Sequence, residues 1–192
     1  MGRRYQAILK SLGHEFYTSD IETHEDAVIG YAHMSDGIII ASPTETHHYF
    51  IHLLAPLSIP ILCEKPICKS EDALTDIIEI CEANKTRLTM MMQYYTLTVQ
   101  GDAGSSSYDY FRTGPDGLPW DCFQIIALSH GEVKINNQSP VWTCSINGRK
   151  LNLGDMDKAY VNFVRSWVNG YAQTSKELIE MHRKVINFGL RK

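Results

Sequence analysis

The stretch Asp36-Gly37-Ile38-Ile39-Ile40-Ala41-Ser42-Pro43-Thr44-Glu45-Thr46-His47 decides how this chain is read. Its apolar residues run on continuously instead of alternating, the pattern of a central parallel strand buried on both faces. A helical pattern follows from about Thr46 to Leu54 and ends near Pro56. A second buried run, Pro60-Ile61-Leu62-Cys63-Glu64-Lys65, reads as the next strand. Ser70 then caps a long amphipathic helix through about Asn84, and Arg87 to Met92 make a third buried strand.

Working back toward the N-terminus, Arg3 to Leu12 read as a helix closed by Gly13. Glu15 to Ser19 read as a short strand ending at Asp20. Thr23, followed three positions later by Asp26, has the form of a capping box opening a helix through Ala32. Strands and helices alternating in this way predict right-handed crossovers, hence an α/β doubly wound parallel sheet, whose ligands bind beyond the carboxyl ends of the strands.

The pattern changes after Tyr95. Residues 100–118 are rich in Gly, Ser, Asp and Pro and read as a loop. Phe123 to Leu128, Glu132 to Ile135, Val141 to Ile146 and Lys150 to Leu153 read as short strands, with Asn147-Gly148 favouring a tight hairpin. Helices over about Asp155 to Val168 and Ser175 to Phe188 close the chain. The expected division is therefore residues 1–95, a Rossmann-like dinucleotide-binding domain, and residues 96–192, a small α+β domain with a mainly antiparallel sheet.

Composition narrows the function classes. The net charge of −4 comes with no basic stripe, which argues against a nucleic-acid partner. No apolar run reaches the roughly 18 residues of a membrane span, and no secretory signal stands behind Arg3-Arg4. The five cysteines contain no C-x-x-C pair and read as reduced thiols of a cytoplasmic protein.

The segment Ser42-Pro43-Thr44-Glu45-Thr46-His47, followed after a helix and a strand by Glu64-Lys65-Pro66, resembles the glucose–fructose oxidoreductase / inositol dehydrogenase / MocA (Gfo/Idh/MocA) family. The resemblance in these motifs covers residues 36–70, and element order extends it weakly over the whole chain. It implies an NAD- or NADP-dependent oxidoreductase that moves a hydride to or from a hydroxyl or carbonyl of a sugar, cyclitol or related small molecule. Lys65 inherits the role of the lysine beside the nicotinamide and the substrate hydroxyl. A positioned lysine there can take the hydroxyl proton, with Glu64 orienting it. By the same analogy Ser42, Pro43, Thr44, His47 and Pro66 border the cofactor groove. His47 reads equally as a polar residue of the helix's first turn.

Two departures stand beside the likeness. A dinucleotide fingerprint opens with a strand and G-x-G-x-x-G, yet Met1-Gly2 leads directly into the first helix. Gly2 matches the third glycine, since Asp20 lies 18 positions beyond it, where the acid that binds the ribose belongs. The expectation is thus an N-terminally truncated unit lacking its first strand, with Asp20 favouring NAD over NADP. The family's D-x-G-x-H-x-x-D segment has a counterpart in Asp116-Gly117-Leu118-Pro119-Trp120-Asp121, where Asp121 matches the final acid and the histidine is missing. Asp121 is the second expected catalytic residue. Tyr108, Tyr110, Arg112 and Trp120 read equally as substrate contacts or as packing.

His48 and His52, four apart, suit a metal on a helix face. No third ligand is evident in the sequence, and the family needs no metal, so the expectation is no metal and solvated or packed histidines. The alternative to an enzyme is a non-catalytic nucleotide-sensing or scaffold protein that kept the fold. Alternating apolar positions in the C-terminal strands suit a face for self-association, so a homodimer or higher homo-oligomer is expected.

Overall fold

The computed structural model describes residues 1–20, 22–93, 133–136, 143–150 and 156–189. Met1–Met91 together with Val164–Ser175 form one compact unit, and Met92–Phe163 with Lys176–Lys192 form another.

The first unit is a parallel sheet with its crossover helices. Helix α1 (Gly2–Ser11) buries Tyr5 and Ile8, one helical turn apart, and the chain leaves it through Gly13 at φ +80. Helix α2 spans Glu25–His33, strand β1 Ile38–Ile40, helix α3 Thr44–Leu54, strand β2 Ile61–Cys63, helix α4 Glu71–Ala83 and strand β3 Leu88–Met90. The strands lie in the order β1-β2-β3, all parallel, with Ile38 opposite Ile61 and Ile61 opposite Leu88. Ile61, Leu62 and Cys63 are wholly buried, which is why the run is apolar at every position. Each such isoleucine or leucine contributes about 1.5–3 kcal/mol relative to exposure.

Helix α4 shows how the local signals work. The Ser70 hydroxyl accepts from the Ala73 N–H at 3.2 Å, and Glu71 and Asp72 complement the positive end of the helix. Leu74, Ile77, Ile78 and Cys81 make its buried stripe at helical spacing. Helix α3 likewise buries His47, Ile51 and Leu54. At the start of β1, Gly37 lies under the Trp167 ring, where an added Cβ would stand 2.7 Å from Trp167 Cη2.

In the other unit, strands β4 (Val133–Asn136), β5 (Thr143–Ile146) and β6 (Arg149–Lys150) pair antiparallel in that order. Asn147 at φ 50 and Gly148 at φ 77 form the tight turn expected of that pair. Helix α5 (Met156–Val168) runs from this unit into the first, and helix α6 (Ser175–Gly189) follows. No helix among the described residues is long and apolar enough to cross a membrane.

Two expectations are corrected. Glu15–Ser19 is not a strand; it is exposed throughout and pairs with no strand among the described residues. A strand exists only by hydrogen bonding to a neighbour, and none lies beside it there. The helix after Asp20 is not capped by Thr23: His24 is the cap, its ring accepting from the Asp26 N–H at 3.4 Å. The Thr23 hydroxyl is used instead by the Asp20 turn, accepting from the Asp20 N–H at 3.0 Å. This is the usual competition of short polar side chains for nearby backbone. The expected strand over Phe123–Leu128, the loop over 100–118, and residues Tyr108, Tyr110, Arg112, Trp120 and Asp121 lie outside the described residues.

Candidate active site

The parallel ladder carries past the strands at their carboxyl ends. The Glu64 N–H donates to the Ile40 carbonyl at 2.9 Å, and the Met91 N–H donates to the Cys63 carbonyl at 2.8 Å. Residues following β1, β2 and β3 therefore share one edge, the edge where ligands of such sheets bind.

Glu64 is the organising side chain there. It is 6% exposed, and each carboxylate oxygen has a different partner. The Tyr5 hydroxyl of α1 donates to Oε1 at 2.7 Å, and the Lys65 backbone N–H donates to Oε2 at 3.1 Å. A buried carboxylate needs such donors. The arrangement ties the first helix to the end of the central strand and holds the backbone of Lys65. Lys65 is half-buried, and the Lys65–Pro66 peptide bond is cis.

His47 performs a similar task between two loops. It is 1% exposed; Nδ1 lies 3.0 Å from the Pro66 carbonyl oxygen and 3.3 Å from that of Ile67, and Nε2 lies 2.9 Å from the Ser42 carbonyl oxygen. All three neighbours are carbonyl oxygens, which only accept, so the ring donates from whichever nitrogen carries its proton, and it stands between the segment after β1 and the segment after β2. The Thr46 hydroxyl donates to the Pro43 carbonyl at 2.8 Å, with Ser42 Oγ at 2.7 Å, closing the turn that starts α3. Lys69 forms an ion pair with Glu45, and this neighbour holds the Glu45 carboxyl below its ordinary range.

The first turn of α1 has no acidic residue and no side-chain cap, and Arg3 and Arg4 stand in it. A Cβ added to Gly2 would meet nothing within 4 Å. The N–H groups of Gly2 and Arg3 precede the first intrahelical bond, from the Arg4 N–H to the Met1 carbonyl at 2.8 Å, and such a helix start suits a phosphate group. Asp20 is exposed, and its Oδ1 accepts from the Glu22 N–H at 3.0 Å and faces the Thr23 hydroxyl at 3.3 Å, leaving Oδ2 for other partners. Burial raises Cys63 well above its ordinary value and pushes Cys68 and Cys81 up to about 11.

The structure thus brings together Ser42, Pro43, Thr44, His47, Glu64, Lys65 and Pro66 and joins α1 to them through Tyr5. It ties Asp20 to none of them by a hydrogen bond among the described residues. Tyr5 was not singled out in the sequence. The signal was present, since a buried tyrosine hydroxyl requires a partner, but its partner lies 59 positions away.

A parallel α/β sheet with this strand-end constellation defines the class of NAD-binding Rossmann folds. Residues 2–92 match the family model described as an oxidoreductase family with an NAD-binding Rossmann fold, that of Gfo/Idh/MocA. Solved structures share the fold at low identity. The WlbA (WbpB) dehydrogenase from Thermus thermophilus in complex with NAD and UDP-GlcNAcA is 13% identical with a TM-score of 0.68, covering 97% of this chain and 90% of that one. An oxidoreductase from Agrobacterium radiobacter in complex with NAD+, L-tartaric acid and magnesium is 12% identical with a TM-score of 0.55, over 94% and 83% of the two chains. A Gfo/Idh/MocA family oxidoreductase from Vibrio cholerae is 14% identical with a TM-score of 0.57, over 88% and 83%. No curated protein sequence matches at a comparable level of significance.

Proposed function

We propose that this chain is an NAD(P)-dependent oxidoreductase acting on a hydroxyl or carbonyl of a sugar, cyclitol or related small molecule. The observation that carries the reading is Lys65, half-buried beyond the central strand with its backbone held by Glu64, itself held by Tyr5. Support for the substrate class comes from relatives of the same fold solved with UDP-GlcNAcA and with L-tartaric acid, both hydroxyl-bearing molecules.

A bound nicotinamide would accept or return the hydride. The chain's own residues do the rest. Gly2 and the open first turn of α1 bind the pyrophosphate, and Asp20 accepts hydrogen bonds from the ribose hydroxyls, favouring NAD over NADP. Ser42, Pro43, Thr44 and Pro66 border the nicotinamide side, and His47 holds those two loops at a set distance. Lys65 takes the proton from the substrate hydroxyl oxygen during oxidation and returns it during reduction. Asp121 is the second catalytic group, and the working form is a homodimer or higher homo-oligomer.

The test is a fluorescence titration of NADH and of NADPH into the purified chain, followed by turnover with polyols and sugars. Saturable NADH binding, with Lys65→Ala retaining binding and losing at least about a hundredfold in turnover, is the expected result. Binding without turnover in either form would make the protein a nucleotide sensor, and no binding by folded protein would end the oxidoreductase reading. Light scattering of the same sample reads the oligomeric state.

A further inference from the structure

We propose that helices α3 and α4 together form a surface site for a divalent transition-metal ion of the zinc class, with His48, His52 and Asp76 as its ligands. The two histidines project from one face of α3 because they stand four residues apart. Asp76, from α4, supplies the third ligand that the sequence did not reveal. His48 Nε2 lies 2.5 Å and His52 Nε2 lies 2.8 Å from the same oxygen, Asp76 Oδ2. The two imidazole rings are 4.4 Å apart between centroids, and the three ligand atoms all fall within 4.8 Å of one another.

Chemistry and geometry agree on the kind of ion. Two imidazoles and one carboxylate are the ligand set of zinc and its neighbours in the first transition series, not of magnesium or calcium, which prefer oxygen alone. An ion held at about 2.0–2.1 Å in tetrahedral geometry places its ligand atoms about 3.3 Å apart. Asp76 Oδ2 stands closer than that to both imidazole nitrogens, at 2.5 Å and 2.8 Å, so the carboxylate needs to draw back by less than about 1 Å around an entering ion. All three are partly exposed, with side-chain accessibilities of 46%, 34% and 52%, so water can take the fourth position. The helices themselves are regular, and the ligands therefore start from a preformed framework.

An ion there would join the helix before β2 to the helix after it. His47, the neighbour of His48, holds the loops at the candidate active site from the buried side of the same helix. The site is separate from the Lys65 chemistry, and its test is independent of cofactor binding.

The full chain, reduced and freed of metal with EDTA, is titrated with ZnCl2 by calorimetry and with CoCl2 by visible absorption. One equivalent binding at micromolar Kd is expected, with a cobalt spectrum of low-coordinate type and a rise of several degrees in Tm at saturating zinc. His52→Ala and Asp76→Asn are each expected to weaken binding by at least about tenfold, since even outer partners of such ligands are worth that much. His14→Ala, a change at an exposed histidine elsewhere, should leave binding unchanged. Melting curves in EDTA check that the variants fold, and His48→Gln replaces any that does not. A wild-type Kd weaker than about 100 μM, or equal binding by wild type and both ligand variants, overturns the proposal.

Discussion

The side-chain amide of Gln173 pairs with both backbone groups of Met90. Its Oε1 accepts from the Met90 N–H at 2.7 Å, and its Nε2 donates to the Met90 carbonyl at 3.2 Å. Strand β3 stands at the end of the β1-β2-β3 order, so this side of Met90 has no neighbouring strand among the described residues. The amide supplies one donor and one acceptor in the place of that strand. Gln173 is 8% exposed and Met90 is fully buried, so water does not replace the pair.

Replacing Gln173 with Leu leaves the Met90 N–H and carbonyl both buried and unpaired, at about 1–3 kcal/mol for each group. A loss of about 2–6 kcal/mol is expected in urea unfolding. Gln173→Glu keeps the acceptor for the N–H but sets a carboxylate against the Met90 carbonyl. It should therefore be destabilised at pH 7 and recover part of the loss on acidification, when the protonated carboxyl can donate. A leucine variant as stable as wild type would mean that the pairing contributes nothing.

Tyr5→Phe removes one of the donors of the buried Glu64 carboxylate while preserving the packed ring. Hydrogen bonds to charged groups are worth about 1.5–3 kcal/mol, so the variant should unfold at lower urea by about that much. In a double-mutant cycle with Glu64→Gln, the two changes should be non-additive by at least about 0.5 kcal/mol. Strict additivity would show that the 2.7 Å contact carries no coupling.

Gly37→Ala tests the contact between the start of β1 and the indole of Trp167. The new Cβ would stand 2.7 Å from Trp167 Cη2, closer than packed carbons tolerate, and 3.3 Å from Cζ2, which is tight. Overpacking of this kind typically destabilises by about 1–3 kcal/mol. Trp167→Phe in the same chain should recover part of the loss by vacating that space. Calorimetric melting of the four proteins reads the cycle.

The three described thiols should make the protein sensitive to alkali in a defined sense. Cys63, Cys68 and Cys81 are all raised above the ordinary thiol value of 9.0 by burial, Cys68 and Cys81 to about 11. Above pH 9 the unfolded chain loses these protons while the folded chain keeps them, so stability present at neutral pH declines as pH rises from about 9 toward 11. Tm should fall across that window, and less steeply in Cys81→Ala. At pH 8 iodoacetamide should label these positions slowly in the native protein and fast in urea.

The amino-acid sequence by itself determined the elements whose signals are local. The continuous apolar runs around Ile38–Ile40, Ile61–Cys63 and Leu88–Met90 become parallel strands, buried throughout in β2 and β3. Strand β1 was expected to be central and buried on both faces, yet it ends the order among the described residues, with Ile38 and Ile39 half-buried. Ser70 caps α4, and Asn147-Gly148 turns between β5 and β6. The strand-end motifs at Ser42–His47 and Glu64–Pro66 were equally legible, because a residue that follows a buried strand has its place set by that strand. Glu15–Ser19 was misread because a strand is defined by a neighbour, and no pattern within five residues reports whether one is there. Only the tertiary structure decided the partners of buried polar groups: Tyr5 with Glu64, His47 with the Pro66 and Ser42 carbonyls, Gln173 with Met90, and Asp76 with the two histidines of α3. Periodicity records which side chains turn inward. The pairing of one inward group with another depends on how far apart the chain's turns set the two elements, and residues 59 or 83 positions apart carry no local trace of it.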